Sequence, residues 1–310
     1  MRVVVSYIQP DLDGTSCMYA YAELLNKMGT KASYYIWGEP KKEVGIVCKM
    51  FGIKLAGIDE LKENYEYIAV DLNGIDQMHD IVNANNLVEI IDHHSISRHI
   101  PEYVNIQRVQ IDKLGAAATI VAERFRSNGI TPSREAAILL YYGIVSNSIN
   151  FKAKITSTRD IEIAKWLKEQ YIEISEEKIS DIFEQKSKID DCDLRREMEC
   201  EIPLNVGKKA IFIGQLEIAN FDEFLTKKND KLISILKQIK NENNPDYIYI
   251  NCIDILKGVT WILTIDDDSS NMIKDISGIE INNGIGKADR IIQRQEMTKR
   301  LREEENRWKV

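Results

Sequence analysis

The chain is poor in cysteine, has no long apolar run and carries no excess of positive charge. Its five cysteines, Cys17, Cys48, Cys192, Cys200 and Cys252, are odd in number and show no Cys-x-x-Cys spacing. That argues against a zinc cage or disulfide framework and for reduced thiols. No apolar stretch approaches the roughly 20 residues that span a bilayer. Residues 1–11, MRVVVSYIQPD, hold an apolar run too short for a signal-peptide core. A cytoplasmic protein with no membrane partner is therefore expected. Lys and Arg number 41 against 49 Asp and Glu, a formal net charge of −8. That balance disfavours broad binding to nucleic acid or anionic lipid. It leaves an anionic small molecule open, because a bound metal can invert the local field.

What is present fits a soluble α/β protein. Hydrophobic residues make up 44% of the 310 positions and charged residues 29%, enough for a sizeable core in two domains. Short β-branched runs at 2–6, 33–36, 67–70 and 88–91 alternate with helical periodicity at 16–28, 42–51, 78–85 and 116–128. Such alternation predicts βαβ units and a parallel sheet with helices on both faces. Two further helices are predicted at 134–145 and 158–170, the second opened by Ser157 and Thr158 with Asp160 in its first turn. Charge density rises over 181–193, which divides the chain into domains 1–187 and 194–310. The second is a smaller α/β domain, with strands at 210–216, 247–255 and 260–265 and a helix at 222–241. The charged end, 287–309, is read as a solvated helix with Ile291, Ile292, Met297 and Leu301 as its apolar positions.

Acidic and imidazole groups recur just after predicted strands. Asp11 and Asp13 follow the first, Asp71 the third, and Asp92-His93-His94 the fourth. Taken singly, an aspartate after a strand is commonly a helix cap and an Asp-x-Asp a turn. In an open parallel sheet, however, groups past the carboxyl ends of the strands converge on one crevice. Four carboxylates and two imidazoles cannot be buried there without compensation, and divalent cations with mixed oxygen and nitrogen ligands supply it. The run Asp266-Asp267-Asp268 reads as a solvated turn and the Asn283–Gly286 segment as a glycine turn, while His79 and His99 read as surface residues.

Asp11-Leu12-Asp13, Asp71 and Asp92-His93-His94 resemble the first three motifs of the DHH phosphoesterase superfamily. Gly115-Ala116-Ala117-Ala118-Thr119 resembles the small-residue segment that follows them. Gly143 to Ser148, continued by Phe151 to Asp160, resembles the fourth motif, and is most similar to that of the family II inorganic pyrophosphatases. The remainder is similar to the associated DHHA2 domain. The resemblance implies two divalent ions, Mn2+ or Mg2+, one of them weakly held, and hydrolysis of pyrophosphate or a related small phosphoanhydride by a metal-bridged hydroxide. It places Asp71 between the ions, Asp11 on the first, and Asp13, His93 and Asn147 on the second. His94 becomes the proton donor, supported by Asp92. Substrate cations are then sought at Lys287, Arg195, Arg196 and Lys152, and a homodimer is consistent with the family.

Three positions depart from the pattern. Tyr7 stands where the family carries a histidine ligand, Asn147 where it carries an aspartate, and Ala288 where it carries a lysine. A phenol titrating near 10 is a poor ligand, and losing an imidazole favours harder cations such as magnesium. Two other functions therefore stand beside the hydrolase: a catalytically weakened DHH protein that binds a phosphorylated ligand or partner, and a DHH exopolyphosphatase or short-oligonucleotide phosphodiesterase.

Overall fold

Strands that are apolar on both faces belong in a parallel sheet that is covered on both sides, and the first half of the chain follows that rule. The computed structural model describes residues 1–94, 106–198 and 204–303. The described chain divides into two units, Met1–Ile182 and Phe183–Val310. In the first unit, β1 (Arg2–Val5), β2 (Ala32–Tyr35), β3 (Glu66–Val70), β4 (Leu87–Asp92) and β5 (Arg108–Ile111) form a wholly parallel sheet. Their order is β2-β1-β3-β4-β5. Strand order therefore reverses between β1 and β3, the place where an α/β sheet opens a crevice beyond its carboxyl ends.

The helices of this unit are α1 (Leu12–Lys27), α2 (Lys42–Phe51), α3 (Ala117–Ser127), α4 (Arg134–Asn147) and α5 (Thr158–Gln170). α1 and α4 pack so closely that a Cβ on Gly143 would lie 2.7 Å from Ser16 Oγ and 3.3 Å from the Leu12 carbonyl oxygen. That contact brings the end of α4 to the start of α1. On the other face of the sheet, Val3, Val5, Tyr67, Ala69 and Leu87 pack with Leu61, Leu72, Met78 and Val82.

The helix expected at 78–85 does not form; the region holds a 3-10 turn at Ile75–Gln77 and irregular turns. Asparagine side chains there compete with helical hydrogen bonding. Asn83 and Asn86 both donate to the Ile81 carbonyl, at 3.1 and 2.8 Å, and Asn83 Oδ1 accepts from the Asn85 N–H at 2.9 Å. His79, read as a surface residue, is half-buried against Trp37 and Tyr35, with ring centroids 5.0 and 6.1 Å away. His99 and Cys200 lie outside the described residues. Cys17, Cys48, Cys192 and Cys252 are free thiols.

The charged stretch from 181 begins inside α6 (Glu177–Lys186), where Ile179, Ile182 and Phe183 are buried. The short helix α7 (Leu194–Glu197) follows. The second unit is a smaller mixed sheet of β6 (Leu204–Val206), β7 (Lys209–Ile218), β8 (Tyr247–Asp254), β9 (Val259–Thr264) and β10 (Ile285–Ala288), ordered β10-β9-β8-β7-β6 with only β7 and β8 parallel. α8 (Phe221–Asn243) covers one face through Leu232, Ile235, Leu236 and Ile239. α9 (Asp267–Ser277) and α10 (Arg294–Glu303) cover the other through Met272, Ile273, Met297 and Leu301. Asp266 is thus no solvated turn: its Oδ1 caps α9 by accepting the Ser269 N–H at 2.8 Å. The charged end expected as one helix from 287 begins with β10, and its helix starts only at Arg294.

Candidate metal centre

The carboxyl ends of β1, β3 and β4 deliver the acidic groups. Asp11 caps α1, its Oδ1 accepting the Gly14 N–H at 3.0 Å. Two residues on, Asp13 Oδ2 accepts from Ala117 N at 2.8 Å and Oδ1 from Ala118 N at 2.7 Å. These are free N–H groups of the first turn of α3, where the helix dipole favours an anion. The small-residue segment is thereby explained: Ala116 and Ala117 let the backbone approach a buried carboxylate. Gly115 is itself pinned, its N–H donating to Asp160 Oδ2 at 2.9 Å, with a Cβ at that position lying only 3.1 Å from the same oxygen.

Asp71 follows β3 in the left-handed region (φ 58°), with its N–H on the Ile91 carbonyl at 2.8 Å. Left-handed backbone recurs at Gln9 and at the run Ile149, Asn150 and Phe151 directly after α4. Such strain costs of the order of 1–3 kcal/mol per residue and gathers where loops are held for function. Asp92, at the end of β4, organises the histidines. Its Oδ1 accepts from His93 N at 2.7 Å and faces His94 Nδ1 at 2.8 Å, and Oδ2 is held by the Asn73 amide. His93 turns its Nδ1 to the Leu114 carbonyl at 2.9 Å and its Nε2 inward, 3.4 Å from Asp71 Oδ1 and 3.6 Å from Asp13 Oδ2.

The electrostatics are those of carboxylates crowded together in a buried place. Asp13, Asp71 and His93 are 1, 2 and 6% exposed. Burial, then the charges of Glu43 and Asp13, push the Asp11 carboxyl up to about 6. Burial, with Asp13 and Asp11 beside it, holds the Asp71 carboxyl well above the usual range. Asp13 is raised by burial against the opposing pull of His93. Burial also pushes Asp92 up, but the hydrogen bonds from His94, Asn73 and the His93 N–H outweigh it and leave that carboxyl low. His94 is correspondingly raised: burial lowers it, and the Asp92 hydrogen bond and the Asp71 charge more than reverse this.

Among the described residues, Asp71 Oδ1 is a buried oxygen with no hydrogen-bond partner. Asp71, His93 and His94 each offer one ligand atom within 4.8 Å of the others. An orphaned buried carboxylate oxygen next to an imidazole lone pair is what a divalent ion requires of a protein.

Residues 2–144 match the model of the DHH family, N-terminal domain. The match lies within the first unit. Two curated relatives extend the likeness beyond it. A protein of Clostridium acetobutylicum named "Probable manganese-dependent inorganic pyrophosphatase" is 27% identical over 284 residues, covering 90% of this chain and 89% of the relative. A "Manganese-dependent inorganic pyrophosphatase" of Methanothrix thermoacetophila is 25% identical over 306 residues, 94% of each chain. The fold is that of a Methanococcus jannaschii crystal structure described as a "putative family II inorganic pyrophosphatase", with TM-score 0.71, 23% identity, and coverage of 99% of this chain and 100% of that one.

Within the matched stretch, the expected residues Asp11, Asp13, Asp71, Asp92, His93 and His94 gather at one end of the sheet. Tyr7 lies beside Asp11, its hydroxyl accepting the Asp11 N–H at 3.2 Å. Burial, then the charges of Asp11 and Asp71, raise this phenol well above 10, so it keeps its proton. Asn147 reaches the cluster too, but through its amide nitrogen rather than the carbonyl oxygen expected of a ligand.

The proposed substrate cations divide between the two units, Lys152 in the first and Arg195, Arg196 and Lys287 in the second. Arg195 pairs with Glu242, and Arg196 with Asp193 at 3.1 Å, both within the second unit. Lys287 lies on β10 with its Nζ over the Trp261 ring, 5.0 Å from the centroid. Lys152 is exposed in the left-handed turn after α4.

Sequence reasoning missed Glu43. It joins the motif loop to α4, accepting from Leu12 N at 3.0 Å and from Ser146 Oγ at 2.6 Å. Its signal was an acidic residue on the apolar stripe that it shares with Val47 and Phe51. Asp160 was read as a cap alone. It also anchors Gly115 and the Thr119 hydroxyl.

Proposed function

We propose that the protein is a metal-dependent phosphohydrolase acting on pyrophosphate or a related small phosphoanhydride, with Mn2+ as its preferred ion. The observation that carries this reading is the buried Asp71 Oδ1, which has no hydrogen-bond partner among the described residues, lies 3.4 Å from His93 Nε2 and feels the charges of Asp13 and Asp11. Asp71 and Asp11 would hold an ion on one side, and Asp71, Asp13 and His93 on the other. Bound there, a divalent ion lowers the pKa of its water and neutralises phosphoryl oxygens.

The remaining work falls to the chain. Asp92 fixes the His94 ring by accepting a hydrogen bond from Nδ1–H, on a side chain that is 45% exposed. Its pKa is raised above the ordinary imidazole value, which suits His94 to pass a proton to the leaving phosphate. The first turn of α3 and the Asp160 anchor keep Asp13 in place as charge changes around it.

The test is phosphate release from pyrophosphate, short polyphosphate and a dinucleotide, with Mn2+ and Mg2+ in turn, on wild type and Asp71→Ala. Turnover of pyrophosphate with Mn2+, lost in Asp71→Ala together with Mn2+ binding in calorimetry, supports the reading. No metal-dependent turnover by a folded wild type refutes it and favours a second reading, a weakened DHH protein that binds a phosphorylated ligand. The neutral Tyr7 and Asn147 side chains speak for that alternative.

A further inference from the structure

Asn147 does not face the centre as a ligand would. Its side-chain nitrogen lies 2.9 Å from the Gly115 carbonyl oxygen, 3.2 Å from Asp13 Oδ2 and 3.2 Å from His93 Nε2. The amide orientation follows from the partners: a carbonyl oxygen and a carboxylate oxygen each need a donor, so nitrogen belongs there. His93 must accept, because its Nδ1 points at the Leu114 carbonyl and carries the proton there, leaving Nε2 a lone pair.

An amide nitrogen has no free pair to give a cation, since its electrons are delocalised into the carbonyl. The amide has two hydrogens for three acceptors: one bonds the Gly115 carbonyl, the shortest contact, and the other is shared between the imidazole lone pair and the carboxylate oxygen that a metal ion would otherwise use. Asp13 completes its set from the protein, with Ala117 N, Ala118 N and the Cys17 thiol as further donors. Asn147 is steered here by the close α1–α4 packing at Gly143 and by the Ser146–Glu43 bond one residue earlier.

We propose that Asn147 is an internal competitor of the metal ion: its amide, held by the Gly115 carbonyl, closes the position between Asp13 and His93, so that an ion is taken up on the Asp71 and Asp11 side. Filling the closed position requires Asn147 to swing away from all three acceptors. The inference rests on the metal-centre reading above, and it makes the opposite prediction from a ligand role. Removing a ligand weakens binding, whereas removing a competitor strengthens it.

Mn2+ calorimetry on chelator-stripped wild type, Asn147→Ala and Asn147→Asp separates the two. Asn147→Ala uncovers His93 Nε2 and tightens Mn2+ binding by about tenfold, the scale on which groups around a metal site act. Asn147→Asp tightens it further and adds one ion per chain. In chelator, Asn147→Ala melts below wild type, because Gly115 and Asp13 lose a buried donor; an unchanged melting temperature overturns the proposal. So does weaker or unchanged Mn2+ affinity in Asn147→Ala, or no uptake by any of the three proteins. Uptake by both variants but not by wild type supports the competitor and refutes wild type as a working Mn2+ enzyme. Phosphate release by wild type with unchanged affinity in Asn147→Ala refutes the competitor and leaves the hydrolase standing.

Discussion

Asp11→Asn separates the charge of the centre from its scaffold. The asparagine oxygen still accepts the Gly14 N–H, so α1 keeps its cap. What disappears is a carboxyl whose pKa is raised to about 6 by burial and by the Glu43 and Asp13 charges. An unfolded aspartate titrates near 3.9, so the native state binds this proton more tightly than the unfolded chain does. In chelator, the stability it contributes is complete below about pH 4 and is lost as pH rises through about 6. Two pKa units at about 1.4 kcal/mol each amount to about 3 kcal/mol.

The variant escapes that loss. Without metal it matches wild type near pH 4 and exceeds it by about 3 kcal/mol at pH 7. In a unit of this size that is a rise in Tm of about 6–12 °C. Asp71 is itself raised in part by the Asp11 charge, so the two titrate together and the measured difference belongs to the pair. With saturating Mn2+ the advantage shrinks or reverses, because the wild-type carboxylate then has a cation beside it. Thermal melts and urea titrations between pH 4 and 8, with chelator and with Mn2+, measure all of this. A variant no more stable than wild type at pH 7 in chelator, or a gap that does not close towards pH 4, refutes the claim that burial and like charge dominate at Asp11.

Two further outcomes follow from the same geometry. His94 is raised above its ordinary value, so phosphate release that depends on its proton falls as pH rises through that raised pKa. His94→Gln lowers release by about 10²–10⁴-fold and removes the alkaline limb; an unchanged limb in a pH–rate series assigns the proton to another group. Gly143→Ala puts a methyl 2.7 Å from Ser16 Oγ and forces α1 and α4 apart, costing about 1–3 kcal/mol in a urea titration. A neutral effect there means the helices adjust without strain.

The strands that carry the centre were legible because each is a short apolar run followed shortly by an acidic group. Asp11, Asp71 and Asp92 follow Val5, Val70 and Ile91 closely, and parallel pairing then brings them to one edge. The segment 78–85 was misread because apolar spacing at Met78, Ile81 and Val82 mimics a helix, while the Asn83 and Asn86 side chains bind the local backbone instead. β10 escaped notice because its Ile285–Ala288 run is short and half exposed, and its strand state comes from pairing with β9 rather than from its own residues. Glu43 and Asp160 were hidden for a different reason. Their partners lie 31 to 103 residues away, and no local pattern encodes a contact of that range.

The amino-acid sequence by itself determined which chemical groups this protein owns and which end of a parallel sheet they occupy, because side-chain type and strand periodicity are local properties. Tertiary structure alone decided which of their lone pairs are free. Asp13 is 104 residues from the N–H of Ala117 and 134 from the amide of Asn147, and it spends its oxygens on both. Asp71, equally buried and equally acidic, leaves one oxygen without a hydrogen-bond partner among the described residues. A carboxylate binds whatever donor the fold brings within reach, and folding brought the donors to one aspartate and not to the other.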